Sequence, residues 1–154
     1  MGKIDDRLAE LGIEIAEPAA PVANYVGYVI SGNLVFVSGQ VTLENGEFKY
    51  QGKVGADFSV EEGAQAARLC GINIISQVKA ACGGDLDRVV RCVKLGGFVN
   101  STTDFTQHPQ VINGCSDLMV DVFGDKGKHA RFALGAGSLP ANVAVEVDAV
   151  FEIS

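Results

Sequence analysis

The C-terminal third of the chain has the clearest alternation of apolar and polar residues. From Val143 to Ile153 every odd position is apolar, while Glu146, Asp148 and Glu152 occupy even positions. Such alternation is typical of a β-strand with one buried face. A shorter alternating run, 131–134, precedes it, and the connecting Gly-Ser-Leu-Pro is typical of a turn. We therefore predict a C-terminal β-hairpin over residues 129–153.

The register of this hairpin determines which side chains meet. If the hairpin is symmetrical about Ser138 and Leu139, Arg131 lies opposite Glu146 on one face, whereas a slip of one residue would turn that face over. A guanidinium beside a carboxylate is either a structural ion pair or the floor of a small polar pocket. The pattern by itself leaves both interpretations open.

Two stretches have the 3.6-residue period of an amphipathic helix. The first begins at Ser59, where Ser-Val-Glu-Glu forms a capping box, and ends at the Cys-Gly-Gly sequence 82–84. The second begins near Pro109 and ends at Gly124. A short helix over 5–11, ended by Gly12, is predicted within an N-terminal extension of residues 1–20.

Three further apolar runs predict strands over 25–30, 34–37 and 89–99, with turns at 31–33 and 44–47. The pair Gly96-Gly97 inside the third run indicates a bulge or a close backbone approach. The order β-β-α-β-α-β-β predicts a single α+β domain over 1–154, a mixed sheet with two helices packed on one face. The other face has no helix to cover it, so we expect it to be covered by another subunit.

The composition and charge of the chain limit the classes of function that it can have. The chain has 154 residues, of which 47% are hydrophobic and 20% charged. This apolar composition indicates that part of the surface is covered by other subunits. A net charge of −7 with twelve dispersed Lys and Arg residues argues against nucleic acid as a partner. The N-terminus lacks the apolar region of a signal peptide, and no apolar run is long enough to span a membrane. We predict no membrane association and a cytoplasmic location.

The cysteines do not predict a metal site. Cys70, Cys82, Cys92 and Cys115 have no Cys-x-x-Cys spacing, and the only histidines, His108 and His129, are distant from them in sequence. We expect buried free thiols and no cofactor. Cys115 has no histidine placed to activate it, and we expect His129 to be a surface residue beside Arg131.

Several short motifs taken together resemble the YjgF/RidA family. Tyr25 also stands where that family carries a tyrosine. The resemblance extends from about residue 21 to 153, and its motifs are Ser38-Gly39-Gln40, Phe98-Val99-Asn100, Asn113, Ala130-Arg131, Leu139-Pro140 and Val145-Glu146-Val147.

The resemblance implies a chorismate-mutase-like fold, a homotrimer with clefts between subunits, and hydrolysis of small enamines or imines to 2-oxo acids and ammonia. In this interpretation Arg131 binds the substrate carboxylate and Glu146 orients the attacking water. The other residues expected to contact substrate are Tyr25, Ser38, Gly39, Asn113 and Ala133.

Other interpretations of these residues stay open. Ser38 could simply cap or turn the chain at the end of its strand, and Tyr25 could be an ordinary sheet residue. Asn113 could form a hydrogen bond with a nearby backbone group instead of the substrate. Ala133 departs from the cysteine that the family often has there, and the chain is longer than the shorter members, so it resembles a longer branch. A non-catalytic trimer that binds small carboxylates is the alternative function, and the acidic charge makes an endoribonuclease a poor third.

Overall fold

A five-stranded mixed sheet with two long helices on one face organises the chain. The fold is seen in a computed structural model, which describes residues 2–18, 20–21 and 23–154. The α+β class and the two helices on one face are as predicted. The elements are α1 (Lys3–Glu10), β1 (Tyr28–Ser31), β2 (Leu34–Gln40), β3 (Leu43–Glu44), β4 (Glu47–Phe48), α2 (Val60–Ala81), β5 (Val89–Asn100), α3 (His108–Phe123), β6 (Ala130–Ala136) and β7 (Val145–Ile153).

The predicted C-terminal hairpin is wrong. The strand order is β1-β2-β7-β5-β6, so β5 lies between β6 and β7, and β6 pairs with β5 in parallel. The connection over 137–144 is not a tight turn, because Ala141 and Asn142 have positive φ within a short 3-10 segment. It carries the chain across the end of β5, where the Asn100 amide donates to the Ala144 carbonyl at 2.8 Å.

Helix α2 begins where the capping box predicts. The Ser59 Oγ accepts from the Glu62 amide at 3.1 Å, and the Glu62 carboxylate accepts from the Ser59 amide at 3.0 Å. The two long helices approach closely through small residues. A Cβ added at Gly114 on α3 would meet the backbone carbonyl of Ala64 on α2 well inside contact distance, so this crossing requires glycine.

The Gly96-Gly97 pair marks a close approach on both faces of β5 rather than a bulge. A Cβ at Gly97 would lie 2.7 Å from the Ile112 side chain, and one at Gly96 would lie 2.7 Å from the Phe132 ring. The register shifts between β5 and β7 occur instead between residues 89 and 94.

Some element limits differ from the predicted ones. β1 begins at Tyr28, three residues later than expected, because residues 23–25 form a bend. β2 extends to Gln40, and the predicted turn at 44–47 joins the short strands β3 and β4. α1 ends as predicted before Gly12, whose φ is +69°. Within the proline-containing stretch that follows, Ala19 and Val22 lie outside the described residues.

The two faces of the sheet differ in exposure. On the helix face Val35, Leu95 and Phe151 are fully buried. The opposite face, which we call the open face, presents the paired side chains of Val29 and Phe36, 53% and 45% exposed, together with Val150, Phe98 and Leu134. Contiguous apolar surface of this kind is typical of an interaction surface.

The glycine at the helix crossing allows a direct test. We expect Gly114→Ala to lower the free energy of unfolding by about 1–3 kcal/mol, because the added methyl group forces the two helix backbones apart. Chemical denaturation at fixed protein concentration measures the loss. Gly137→Ala is the matched control, since a Cβ at Gly137 meets nothing within 4 Å. Equal stabilities of the two variants would contradict the packing argument.

Candidate functional site

The strand pairing places Arg131 and Glu146 on opposite faces of the sheet. Arg131 is the register partner of the buried Leu95 and faces α3, whereas Glu146 is the partner of Phe98 and faces away from the helices. β5 lies between the strands that carry them, so two interstrand spacings separate their backbones by roughly 10 Å across the sheet. One subunit therefore cannot apply both side chains to one small ligand. The expectation that they face one another within a hairpin is wrong, and so is the structural ion pair between them.

Glu146 lies half-buried on the open face. Burial raises the pKa of its carboxyl group, and the neighbouring carboxylate of Asp148 raises it further. Within the described part of the chain, no side-chain or backbone donor forms a hydrogen bond with this carboxylate. A carboxylate with a raised pKa and free lone pairs is suited to accept a proton from a bound water.

Gly39 is the predicted site residue that the structure brings to Glu146. A Cβ at Gly39 would overlap the Glu146 Oε2, so the absence of a side chain there leaves room for the carboxylate. β2 and β7 shift register between Val37 and Gln40, which places Gly39 in an irregular part of the strand. Glycine at this position therefore has a steric role beside the carboxylate.

Tyr25 and Ser38 belong, respectively, to the segment where the chain enters β1 and to the end of β2. The Ser38 Oγ donates to the Val26 carbonyl at 2.7 Å, and the Ser38 amide donates to the Gly27 carbonyl at 2.9 Å. These bonds hold the segment before β1 against β2, so the serine has a structural task. Tyr25 lies in that segment with 56% of its surface exposed.

Arg131 lies in a shallow hollow between α3 and β6. Its Nη1 donates to the Ser116 Oγ at 3.0 Å, and its Nη2 donates to the Pro109 carbonyl at 3.3 Å. The hollow has a volume of about 300 Å³ and is lined by Asn113, Ser116, Asp117, Val120, Lys128, His129 and Arg131. The structure thus brings the predicted Asn113 to Arg131. Ala133, two residues further along β6 on the same face, is half-buried and packs against the core.

Three polar residues near the site were missed or misjudged in the sequence. Ser116 follows Asn113 by three residues, a spacing that places both on one face of a helix. His129 is half-buried and hydrogen-bonded rather than a plain surface residue, and Asp148 adjoins Glu146. The three-residue spacing from Asn113 would have predicted that Ser116 lies on the same helix face. The two-residue spacing from Glu146 would have predicted that Asp148 lies on the same strand face.

The cysteines are free and buried, as expected. Burial raises the pKa of the Cys92 thiol to about 12 and also raises the pKa of Cys115, where Cys92 adds to the effect. Both thiols therefore favour the protonated form, which is a poor nucleophile. Within residues 2–18, 20–21 and 23–154, no group of three His, Cys, Asp or Glu side chains is placed to hold a metal ion.

Comparison with known proteins identifies the family. The family described as "YjgF/chorismate mutase-like, putative endoribonuclease" matches residues 5–153. The chain belongs to the YjgF/RidA family.

Among YjgF/RidA relatives, Protein TCP17 of Trypanosoma cruzi is 47% identical over 154 residues, covering 99% of this chain and 96% of the relative. The crystal structure of Atu1372 from Agrobacterium tumefaciens, described as of unknown function, has a TM-score of 0.91 at 49% identity, covering 98% of this chain and 92% of that one. A "putative endoribonuclease" from Shewanella oneidensis has a TM-score of 0.94 at 36% identity, covering 99% and 100%.

The fold resembles these YjgF/RidA structures over nearly its whole length. As to membranes, none of the helices in the described part of the chain is both long and apolar enough to cross a bilayer.

The influence of Asp148 on Glu146 can be measured. We expect Asp148→Asn to lower the pKa of Glu146, because the variant removes the Coulombic repulsion, while burial keeps that pKa above its ordinary value. NMR titration of the Glu146 carboxyl carbon follows the change. Glu152→Gln, on the same strand and face, is the control and should leave the titration unchanged. An unaltered pKa in Asp148→Asn would show that the neighbouring carboxylate has no influence.

Proposed function

We propose that the protein hydrolyses small enamines and imines, chiefly 2-imino acids, to 2-oxo acids and ammonia in a cleft between the subunits of a homotrimer. One observation carries the proposal. Arg131 and Glu146 do not neutralise one another, so the guanidinium is left to bind a carboxylate and the carboxylate is left to act on a water molecule. Membership in the YjgF/RidA family supports the same reaction.

The chemistry follows from the two side chains. Arginine binds a carboxylate through charge-assisted hydrogen bonds, and three of the five N–H groups of Arg131 have no partner among the described residues. Water adds to the carbon of the C=N bond while Glu146 accepts its proton. Glu146 then returns that proton to the nitrogen of the carbinolamine, and ammonia leaves as the hydroxyl group loses its proton to Glu146 and the C=O bond forms. The raised pKa makes Glu146 a stronger base than an ordinary glutamate.

A cleft between subunits resolves the separation of the two groups. Within one subunit they lie on opposite faces, and the open face has exposed apolar residues around Glu146. A second copy covering that face can present its own α3–β6 hollow to Glu146 of the first. Each site then takes Arg131 from one subunit and Glu146 from its neighbour. Three such sites form when the arrangement closes as a ring of three.

A second candidate is a non-catalytic trimer that binds small carboxylates. The observation in its favour is that Arg131, Asn113 and Ser116 form a polar hollow within one subunit, without needing Glu146. The two functions differ in what Glu146 does, because binding alone does not require a base. Endoribonuclease activity, which appears in the description of the family, stays a poor third at a net charge of −7.

Two substitutions test the reaction. In an assay where a dehydratase generates the 2-imino acid, we expect Glu146→Gln to lower kcat by about 10²-fold or more, since the base is removed. We expect Arg131→Ala to raise KM at least about tenfold, since the charge-assisted bonds to the carboxylate are lost. Wild-type kcat/KM should rise with pH through the raised pKa of Glu146, because the deprotonated form is the base.

Glu152→Gln is the control for these assays, since it removes a carboxylate from the same strand without touching the site. Ammonia release by all variants at the uncatalysed rate, wild type included, would exclude hydrolysis of the substrate tested. Retention of carboxylate binding in that case would favour the second candidate.

The sharing of sites between subunits predicts complementation. Arg131→Ala and Glu146→Gln subunits, each impaired alone at substrate concentrations below the wild-type KM, should regain activity when unfolded together and refolded as mixed oligomers. Random mixing should restore about a quarter of wild-type activity, because that fraction of clefts receives both intact residues. Mixing without unfolding is the control. Absence of recovery in verified mixed oligomers would contradict a site shared between subunits.

A further inference from the structure

A chain of hydrogen bonds runs from the backbone beyond α3 to the guanidinium of Arg131. The His129 Nδ1 lies 2.6 Å from the Gly127 carbonyl, and its Nε2 lies 2.8 Å from the Ser116 Oγ. The same Ser116 Oγ accepts from the Arg131 Nη1 at 3.0 Å, while the Pro109 carbonyl accepts from Nη2. One hydroxyl group therefore links the histidine to the arginine.

The chemistry of the partners determines the direction of these bonds. A carbonyl oxygen only accepts, so the Nδ1 of His129 carries a hydrogen and donates to Gly127. In the neutral ring the Nε2 is then an acceptor, and the Ser116 hydroxyl donates to it. The Ser116 oxygen then still has lone pairs with which to accept from the Arg131 Nη1. By accepting the hydroxyl hydrogen of Ser116, His129 leaves the Ser116 oxygen to accept a hydrogen bond from Arg131.

The guanidinium is thus held by neutral acceptors. Arg131 forms no ion pair with a carboxylate in the described part of the chain, although Asp117 also lines the hollow. Lys128, the other cation there, is 3.3 Å from Asp125. A hydroxyl and a carbonyl restrict a long side chain without cancelling its charge, so Arg131 keeps its full attraction for an incoming anion.

We propose that Ser116 and His129 are positioning residues that hold Arg131 in place to bind the carboxylate of the ligand. Neither needs to touch the ligand, because both act through the guanidinium. The inference rests on the proposed function only in taking Arg131 as the carboxylate-binding group. It adds Ser116 and His129 to that site and explains why a hydroxyl group and an imidazole ring are needed there.

A double-mutant cycle tests the proposal. The affinity of the full-length protein for 2-oxobutanoate is measured by calorimetry for wild type, Ser116→Ala, Arg131→Ala and the double variant. We expect Ser116→Ala to weaken binding about tenfold, because the guanidinium loses an anchor. Combining Ser116→Ala with Arg131→Ala should weaken binding no further than Arg131→Ala alone, because the serine acts only through the arginine.

Conservative variants separate positioning from general damage to the fold. Ser116→Thr keeps the hydroxyl and should bind within about twofold of wild type, whereas Ser116→Ala should not. His129→Gln keeps an acceptor for the serine and should lose less affinity than His129→Phe. In the hydrolysis assay, Ser116→Ala should raise KM and leave kcat nearly unchanged. Ser101→Ala is the matched control, since the Ser101 Oγ also pairs with a histidine, His108, at 3.3 Å.

The outcomes distinguish this inference from the proposed function. If Arg131→Ala weakens binding but Ser116→Ala binds like wild type, the positioning role is wrong and the proposed function stands. A further loss in the double variant would also overturn it, since the serine would then act independently of the arginine. Should Arg131→Ala itself bind like wild type, the carboxylate-binding role of the arginine fails and this inference fails with it.

Discussion

The central position of β5 determines where every candidate site residue lies. β5 pairs antiparallel with β7 on one side and parallel with β6 on the other. A parallel pair requires a crossover, and α3 provides it by passing over the helix face between the two strands. This crossover puts Arg131 beneath α3 and gives it the acceptors Ser116 and Pro109. It leaves Glu146, two strands away, on the face that no helix covers.

Electrostatics follow from this arrangement. Glu146 and Asp148 share one face of β7, so mutual repulsion and burial act together on Glu146. Arg131, on the other face, is too distant to relieve that repulsion. A direct pair would have neutralised both groups, as ion pairs at strand surfaces do. Separation within the subunit leaves the Arg131 guanidinium and the Glu146 carboxylate without an ion-pair partner among the described residues.

The sequence predicted the elements better than their pairing. Local signals were sufficient for the Ser59 capping box and for the two faces of β7. The sequence did not predict which strand pairs with β6. Gly-Ser-Leu-Pro is typical of a turn whether the chain returns beside β6 or crosses the end of β5. Ala141 and Asn142 adopt positive φ in that connection, which is unfavourable for alanine, and the Gln51 side chain donates to the Ala141 carbonyl from a distant part of the chain. The motif residues of the site were recognised one by one, but their division between two faces depends on this long-range pairing.

The burial of the four cysteines bears on the chemical durability of the protein. Each thiol has a raised pKa, so almost none of the sulfur is present as thiolate at neutral pH. Peroxides react with accessible thiolates, and Met119, the other sulfur within the described residues, is also fully buried. The proposed reaction uses oxygen and nitrogen groups only. The described part of the folded protein therefore exposes almost no sulfur to oxidants, and the proposed site contains no thiol that oxidation could inactivate.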